Sequence, residues 1–295
     1  MSAMVLKRFF GLVAVLSLTA VPYMAWPIFE DFDDPLEPGA WSFQGSASQD
    51  QTQGLLEITP ASNNQTGAAW LNETIDCTQF RASFKFWIGD GNGADGLVFA
   101  WVREQGMGGG GGSLGWYGGG LTGYGIVFDT YPTPAVNQVS FEDPEVHTGS
   151  DTGGFVSYEP PVDMDNAGGW FDVEVEMDNG HLRVWMTNEA EGFAKTLAID
   201  YTLAGYQGFD AYFGFTGATG GLNNNHWVDD LAINMGADAG PDQVVESGDE
   251  VTLDGSKSVN AIGFLWDQVG GEPLVEITNE NEAVASFVAP SGVCV

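Results

Sequence analysis

The run Asp90-Gly-Asn-Gly-Ala-Asp-Gly96 gathers carboxylates and an amide on a glycine-rich turn. Its start mimics a calcium loop of the EF-hand type, but the twelfth position is Trp101 where a bidentate Glu is needed, which excludes that chemistry. Taken alone, Asp95 is a turn carboxylate. A second run, Gly220-Gly-Leu-Asn-Asn-Asn-His226, supplies amides that both donate and accept, which suits vicinal hydroxyls; taken alone it is also an ordinary polar turn. The glycine-rich segment Gly108–Gly120 contains Trp116 and Tyr117, which marks it as a packed loop rather than a flexible linker. Within it, Gly111-Gly-Ser-Leu-Gly115 spells G-x-S-x-G, but a nucleophile elbow needs a strand before and a helix after, and neither is present in the sequence pattern. Trp116, Tyr117, Tyr131 and Trp227 are candidate aromatic faces for a ligand, although Trp227 reads equally as core.

The elements that must position these residues read as strands. Alternating apolar patterns recur over 81–88, 96–102, 124–129, 139–141, 170–177, 181–186, 210–216 and 228–233. Asp178-Asn179-Gly180 joins two of them, and Asn-Gly between alternating runs is the strongest short-range hairpin signal. In that hairpin Val173, Val175 and Met177 point one way and Glu174 and Glu176 the other, so one face packs and one is wet. No helical stretch of useful length is predicted outside the N-terminus. The expectation is an all-β fold: a two-sheet antiparallel sandwich over residues 27–235, with a second, small β-domain after a Gly/Pro/Asp linker at 236–241.

Forty-one acidic residues against eight basic ones give a net charge of −33 over 295 residues. The apolar and aromatic content excludes a disordered acidic tail, and the shortage of Lys and Arg excludes nucleic acid as a partner. Lys7 and Arg8 precede an apolar run that ends near Ala20, too short to span a bilayer comfortably; residues 1–25 therefore read as an export signal cut between Ala20 and Trp26. The alternative is an uncleaved anchor. With the signal removed no membrane span is expected, and the protein is expected outside the cell, secreted or at the surface. Cys77 and Cys294 are too few for a disulfide framework; a bridge and two free thiols both stay open. Asn64 and Asn72 begin glycosylation sequons.

Taken in order, Ala94-Asp-Gly-Leu-Val-Phe-Ala-Trp101, the Gly108–Gly120 loop, Gly123-Tyr-Gly-Ile-Val-Phe-Asp-Thr-Tyr131, Gly214-Phe-Thr-Gly-Ala-Thr-Gly220 and His226-Trp-Val-Asp-Asp-Leu231 resemble the legume-type (L-type) lectin domain of bacterial surface proteins. Residues 242–295, with Ala-Gly-Pro-Asp242, Val-Thr-Leu-Asp-Gly-Ser256 and Phe-Val-Ala-Pro290, resemble the front part of a PKD-like, Ig-type module. About four strands stand there where an Ig sandwich needs about seven, so this part is expected to be incomplete and to belong to a larger surface assembly.

The first resemblance implies a concanavalin A-like jelly roll that binds glycans or polysaccharide. It implies a cis peptide before Asp95, with that carboxylate accepting from sugar hydroxyls. A glycine N–H, assigned to Gly112, donates to the sugar; Asn137, Gly221, Leu222 and Asn223 complete the sugar set. It also implies calcium, with Asp129, the Tyr131 carbonyl, Asn137 and Asp143 as ligands and His147 at the family's transition-metal position. The Glu expected two residues before Asp129 is Val127, which speaks against manganese. A competing alignment makes Asn137-Gln-Val-Ser-Phe141 a strand and moves Asp143 and His147 into a loop. Related sandwiches include glycoside hydrolases, whose Glu-x-Asp-x-x-Glu strand is not found here, so no catalysis is expected. A non-catalytic adhesive module of a larger surface protein is the alternative to a lectin.

Overall fold

The computed structural model describes residues 4–9, 12–16, 28–131, 137–147, 154–234, 243, 245, 247–256, 264–268, 273 and 275–290. The chain divides into two units. One joins residues 1–27 to 234–295; the other is Ile28–Ile233. The first contains a hairpin, β1 (Met4–Phe9) and β2 (Leu12–Leu16), formed by the segment read as an export signal in the uncleaved chain.

Among the described residues the second unit holds fifteen strands, β3 to β17. These are β3 (Ile28–Glu30), β4 (Trp41–Gly45), β5 (Ser48–Asp50), β6 (Leu55–Thr59) and β7 (Thr66–Asp76). Next come β8 (Gln79–Gly89), β9 (Gly96–Val102), β10 (Gly123–Asp129), β11 (Gln138–Glu142) and β12 (Val156–Tyr158). The unit ends with β13 (Phe171–Asp178), β14 (His181–Asn188), β15 (Phe193–Thr202), β16 (Asp210–Ala218) and β17 (Asn225–Asn234). A front sheet of seven strands runs β12-β11-β10-β9-β16-β7-β4. A back sheet of eight runs β15-β14-β13-β8-β17-β6-β5, with β3 added on β17. The fold is the expected all-β antiparallel sandwich.

Phe80, Phe84 and Phe86 from β8 interleave with Phe99, Trp101, Phe128, Phe213 and Phe215 of the front sheet. Phe84 is 4.9 Å from Phe99 and meets Phe215 edge-on at 5.1 Å, geometries that aromatic quadrupoles favour. On β13 the residues Phe171, Val173, Val175 and Met177 are buried, while Asp172 and Glu174 face solvent. The Asn179-Gly180 turn has φ of 50° and 91°, the left-handed pair that such a hairpin requires. On the outer face of the back sheet Glu174 pairs with Lys195 and Glu176 with Arg81 and Arg183. Lys85 there pairs with Asp230 at 2.7 Å.

The front sheet is covered on both faces. Every residue of β9 is buried. Leu97, Phe99 and Trp101 alternate with Val98, Ala100 and Val102; the latter three pack on the other side against Leu114, Trp116, Tyr117 and Leu121. The glycine-rich segment is therefore a packed loop, folded over the outer face of the front sheet. Its Tyr117 hydroxyl donates to Glu142, and Ser140 Oγ donates to the other oxygen of the same carboxylate at 2.5 Å.

In the first unit β18 (Glu250–Asp254) pairs with β20 (Val284–Val288), and β19 (Leu265–Gln268) pairs with β2. Val251, Leu253, Trp266, Ala285 and Ala289 form its core, and Trp266 Nε1 donates to the Glu282 carbonyl at 2.9 Å. Cys77 is a buried free thiol whose carbonyl accepts from the Tyr206 hydroxyl at 2.7 Å; Cys294 lies outside the described residues. No helix among the described residues is long and apolar enough to cross a membrane.

Truncating Phe84 to Ala opens the centre of the sandwich and is expected to cost about 3–5 kcal/mol in a urea denaturation series. Glu174→Ala, on the wet face of β13, is expected to change stability by no more than about 1 kcal/mol.

Candidate functional site

Loops from five places converge at one end of the sandwich. The Ala94–Asp95 peptide is cis. It enters β9, and the Asp95 main chain is pinned by its N–H to the Ala218 carbonyl at 3.1 Å. The Asp95 carbonyl accepts from both the N–H and the hydroxyl of Thr130, at 3.0 and 3.1 Å. This lock fixes the carboxylate, which is only 4% exposed, with Oδ2 making no hydrogen bond. Two glycines make room for it. A Cβ on Gly220 would stand 3.0 Å from Asp95 Oδ2, and one on Gly111 would stand 4.0 Å away. Gly111 donates to the Thr219 carbonyl at 3.3 Å, which ties the covering loop to the β16–β17 connection.

The rim is built from amides. Asn92 and Gly93 donate to the Asn223 carbonyl at 2.8 and 3.1 Å, and Asn223 N–H donates back to Asn92 Oδ1 at 2.8 Å. The Asn223 amide donates to Asn63, which in turn donates to the Gly221 carbonyl at 3.0 Å. Asn224 is buried; its amide donates to Asp165 at 2.8 Å and accepts from Gly91 at 3.2 Å. The asparagine run thus divides, with Asn223 on the rim and Asn224 as a brace. Gly221, Leu222 and Gly112 lie exposed beside them, and Leu222 and Tyr131 are the apolar surfaces there.

Burial, and after it the neighbouring Asp129 carboxylate, pushes Asp95 up to about 6. Asp129 is itself 1% exposed, and its Oδ1 accepts from the Tyr131 N–H at 3.0 Å. Two desolvated carboxylates this close favour a cation between or beside them. Calcium, the ion implied by the resemblance, fits the oxygen chemistry of Asp129 and the Tyr131 carbonyl, with the unpartnered Asp95 oxygen nearby.

Other expected residues are placed elsewhere. Asn137 sits at the Asp129 end of β11, but its amide donates to the carbonyls of Pro160 and Val162 at 3.1 and 2.8 Å. Its oxygen accepts from Met164 N–H at 2.9 Å, so ligand duty would require it to leave the 160–164 segment. Asp143 and His147 are a correction. In the β10–β11 register Asp129 faces Gln138 and Gly125 faces Glu142. Asp143 therefore lies five residues along the sheet, about 17 Å from Asp129 at about 3.3 Å per residue, as the competing alignment implied. There the two residues cap each other: Asp143 N–H donates to His147 Nδ1 at 3.1 Å, and the His147 ring meets Phe155 edge-on. Among the described residues no group of three or more His, Cys, Asp and Glu side chains comes together to hold a metal.

The aromatic candidates separate similarly. Trp116 and Tyr117 are buried under the loop, Trp227 lies on the outer face of the back sheet, and only Tyr131 stands at the rim. Sequence reasoning missed Gly220, Asn63 and Asn92. Gly220 belonged to a recognised motif; the two asparagines carried no signal beyond turn propensity.

An antiparallel jelly roll with a cis-linked, buried aspartate, a glycine loop and an asparagine rim at one end defines a lectin of the legume type. The description "Legume-like lectin family" matches residues 34–237, and the chain belongs to that family. No curated protein matches it. The exoplasmic/lumenal domain of VIP36, solved with calcium and Man3GlcNAc, shares 20% identity over 72% of this chain and 87% of its own, with a TM-score of 0.56. The basic winged bean lectin with Tn-antigen shares 18% over 70% of this chain and 97% of its own, with a TM-score of 0.60. Lectin II from Ulex europaeus shares 19% over 71% and 97%, with a TM-score of 0.56. At these identities the likeness is one of fold.

His226 is wholly buried, with Nδ1 2.5 Å from Thr59 Oγ1, and desolvation lowers its pKa to about 3. The unfolded chain takes up that proton near pH 6.5 while the folded chain refuses it. Stability from this group is therefore complete above about pH 6.5 and lost progressively as pH falls towards 3. His226→Gln is expected to flatten the fall of the urea midpoint across that window.

Proposed function

We propose that the protein binds glycans without catalysis, through the Asp95 end of the sandwich, in a calcium-dependent manner. The observation that carries this is the unpartnered, buried Asp95 oxygen held between Gly111 and Gly220. A buried acceptor left without a donor is costly, and a sugar hydroxyl is a donor of the right size and polarity for a slot lined by glycine. Gly112 lies exposed on the covering loop, where its N–H can reach a bound sugar. Gly221, Leu222 and Asn223 supply main-chain and amide groups along the rim, and Tyr131 an aromatic face.

In this reading Asp129 and the Tyr131 carbonyl would hold the calcium ion, which would supply positive charge beside the two buried carboxylates; Thr130, between them in sequence, pins the Asp95 carbonyl. Asn137 supports the site through the 160–164 segment. The ion of VIP36, and the mannose-containing ligand it was solved with, make calcium and manno-oligosaccharides the first conditions to try. Export to the outside of the cell, removal of residues 1–25 as a signal and a PKD-like character for residues 242–295 belong to the same reading. The glycosidase alternative loses support on the back sheet. Glu174 and Glu176 stand on its outer face in ion pairs rather than as a facing acid pair.

A glycan array run on the full chain in calcium, and again in EDTA, tests this. Binding in calcium is expected. Asp95→Ala should lower it at least about tenfold with the melting temperature little changed, in keeping with about 1.5–3 kcal/mol for a hydrogen bond to a charged group. EDTA should abolish it. Binding that survives EDTA would remove the metal from the account, and silence in calcium would favour a purely adhesive module.

A further inference from the structure

We propose that Trp87 and Trp227 form a second subsite, for the continuation of a neutral oligosaccharide, on the outer face of the back sheet. The proposal rests on the lectin reading of the Asp95 site and extends it from a sugar to a chain of sugars.

The two indoles stack with centroids 4.8 Å apart and an interplanar angle of 28°. Both belong to the wet face: Phe86 and Ile88 flank Trp87 in β8 and point into the core, as His226 and Val228 do around Trp227. Strand alternation thus brings two large apolar rings together as a stack, half-buried, where the same face otherwise carries ion pairs. Their edges are fixed. Trp87 Nε1 donates to the Ala167 carbonyl and Trp227 Nε1 to Glu57 Oε2, each at 3.3 Å. Trp87 lies flat along its strand because position 89 has no side chain; a Cβ on Gly89 would stand 2.6 Å from the indole Cζ2. A rigid aromatic platform with a carboxylate at its edge matches the C–H face and hydroxyl rim of a pyranose.

Its position links it to the first site. β8 leaves Trp87 for Gly89 and then enters the loop that ends at Asp95. Trp227 follows the buried brace Asn224 by three residues, about 10 Å of extended strand. The rim between them is made of Asn92, Asn166 and Asn223, whose amides already bridge the loops. A glycan leaving the Asp95 slot over this rim reaches the indole pair next. The occupant is neutral on charge grounds. Lys85, on the same face, is committed to Asp230 at 2.7 Å, and Glu57 beside Trp227 repels anionic sugars.

The test is isothermal titration of the full chain in calcium with linear manno- and gluco-oligosaccharides, from monosaccharide to pentasaccharide. In the native chain affinity for one series is expected to rise with length by about tenfold or more. Trp87→Ala and Trp227→Ala should each hold every member of that series near the monosaccharide affinity while leaving the monosaccharide itself unchanged. Circular dichroism melts check the fold. Should either alanine variant misfold, Trp227→Phe and Glu57→Gln carry the test, each expected to remove part of the gain with length. A flat series in the native chain overturns the proposal and leaves the Asp95 site standing. So does a gain that survives the variants, or a loss of monosaccharide binding in a folded one. Binding of no member, native or variant, overturns this proposal, and silence on the glycan array as well overturns the lectin reading with it.

Discussion

The requirement that the front sheet be dry on both faces organises this protein. Val98, Ala100 and Val102 alternate with core residues along β9 and would face water if nothing covered them. Their cover is the glycine-rich loop, through Leu114, Trp116, Tyr117 and Leu121. Once those side chains are seated, the loop's glycines have little freedom left. Gly111 is carried to Asp95, and Tyr117 is tied to Glu142 on β11. A hydrophobic constraint on one strand thus sets the wall of a polar site.

The site itself is organised around desolvated acid. Asp95 and Asp129 are both nearly inaccessible, and burial is the first cause of the upward shift at Asp95, with Asp129 second. Main-chain locks at Thr130, Ala218 and Tyr131 hold this end of the chain in place. Such an arrangement gives up some stability for the sake of a fixed acceptor. It does so at the end of a sandwich that is otherwise well supported by interlocked aromatic rings.

Much of the fold was legible because alternation is strong where one face is wet. β9 matches its expected span residue for residue, and the β13–β14 hairpin was set by Asn179-Gly180. The strands between Ile28 and Asp76 and strand β15 were not read. Their patterns are broken by small residues in Thr66-Gly-Ala-Ala69 and by exposed Ala194 and Lys195. The cis peptide before Asp95 was readable from its neighbours, whereas the separation of Asp143 from Asp129 was not. A one-strand choice, whether Gln138–Glu142 pairs with β10, decides whether Asp143 is beside Asp129 or at the far end, and the sequence between Asp129 and Gln138 carries no tight-turn signal like the Asn179-Gly180 that fixed the β13–β14 register.

The ion pairs on the back sheet have an electrical consequence. Arg81, Lys85, Arg183 and Lys195 all stand on one outer face, and Arg103 is stacked on Phe209, while the loops around Asp95 hold acidic and amide groups. Four of the eight basic residues thus stand on this face, each already paired with an acid, in a chain of net charge −33. Fields from exposed charge reach roughly 8–10 Å at physiological ionic strength. A sialylated or sulfated glycan approaching the Asp95 loops therefore meets a repulsive potential before any contact is made, and adding salt would shrink that zone. Discrimination between neutral and acidic glycans would then be a property of approach rate, tuned by the salinity of the surroundings, as much as of fit.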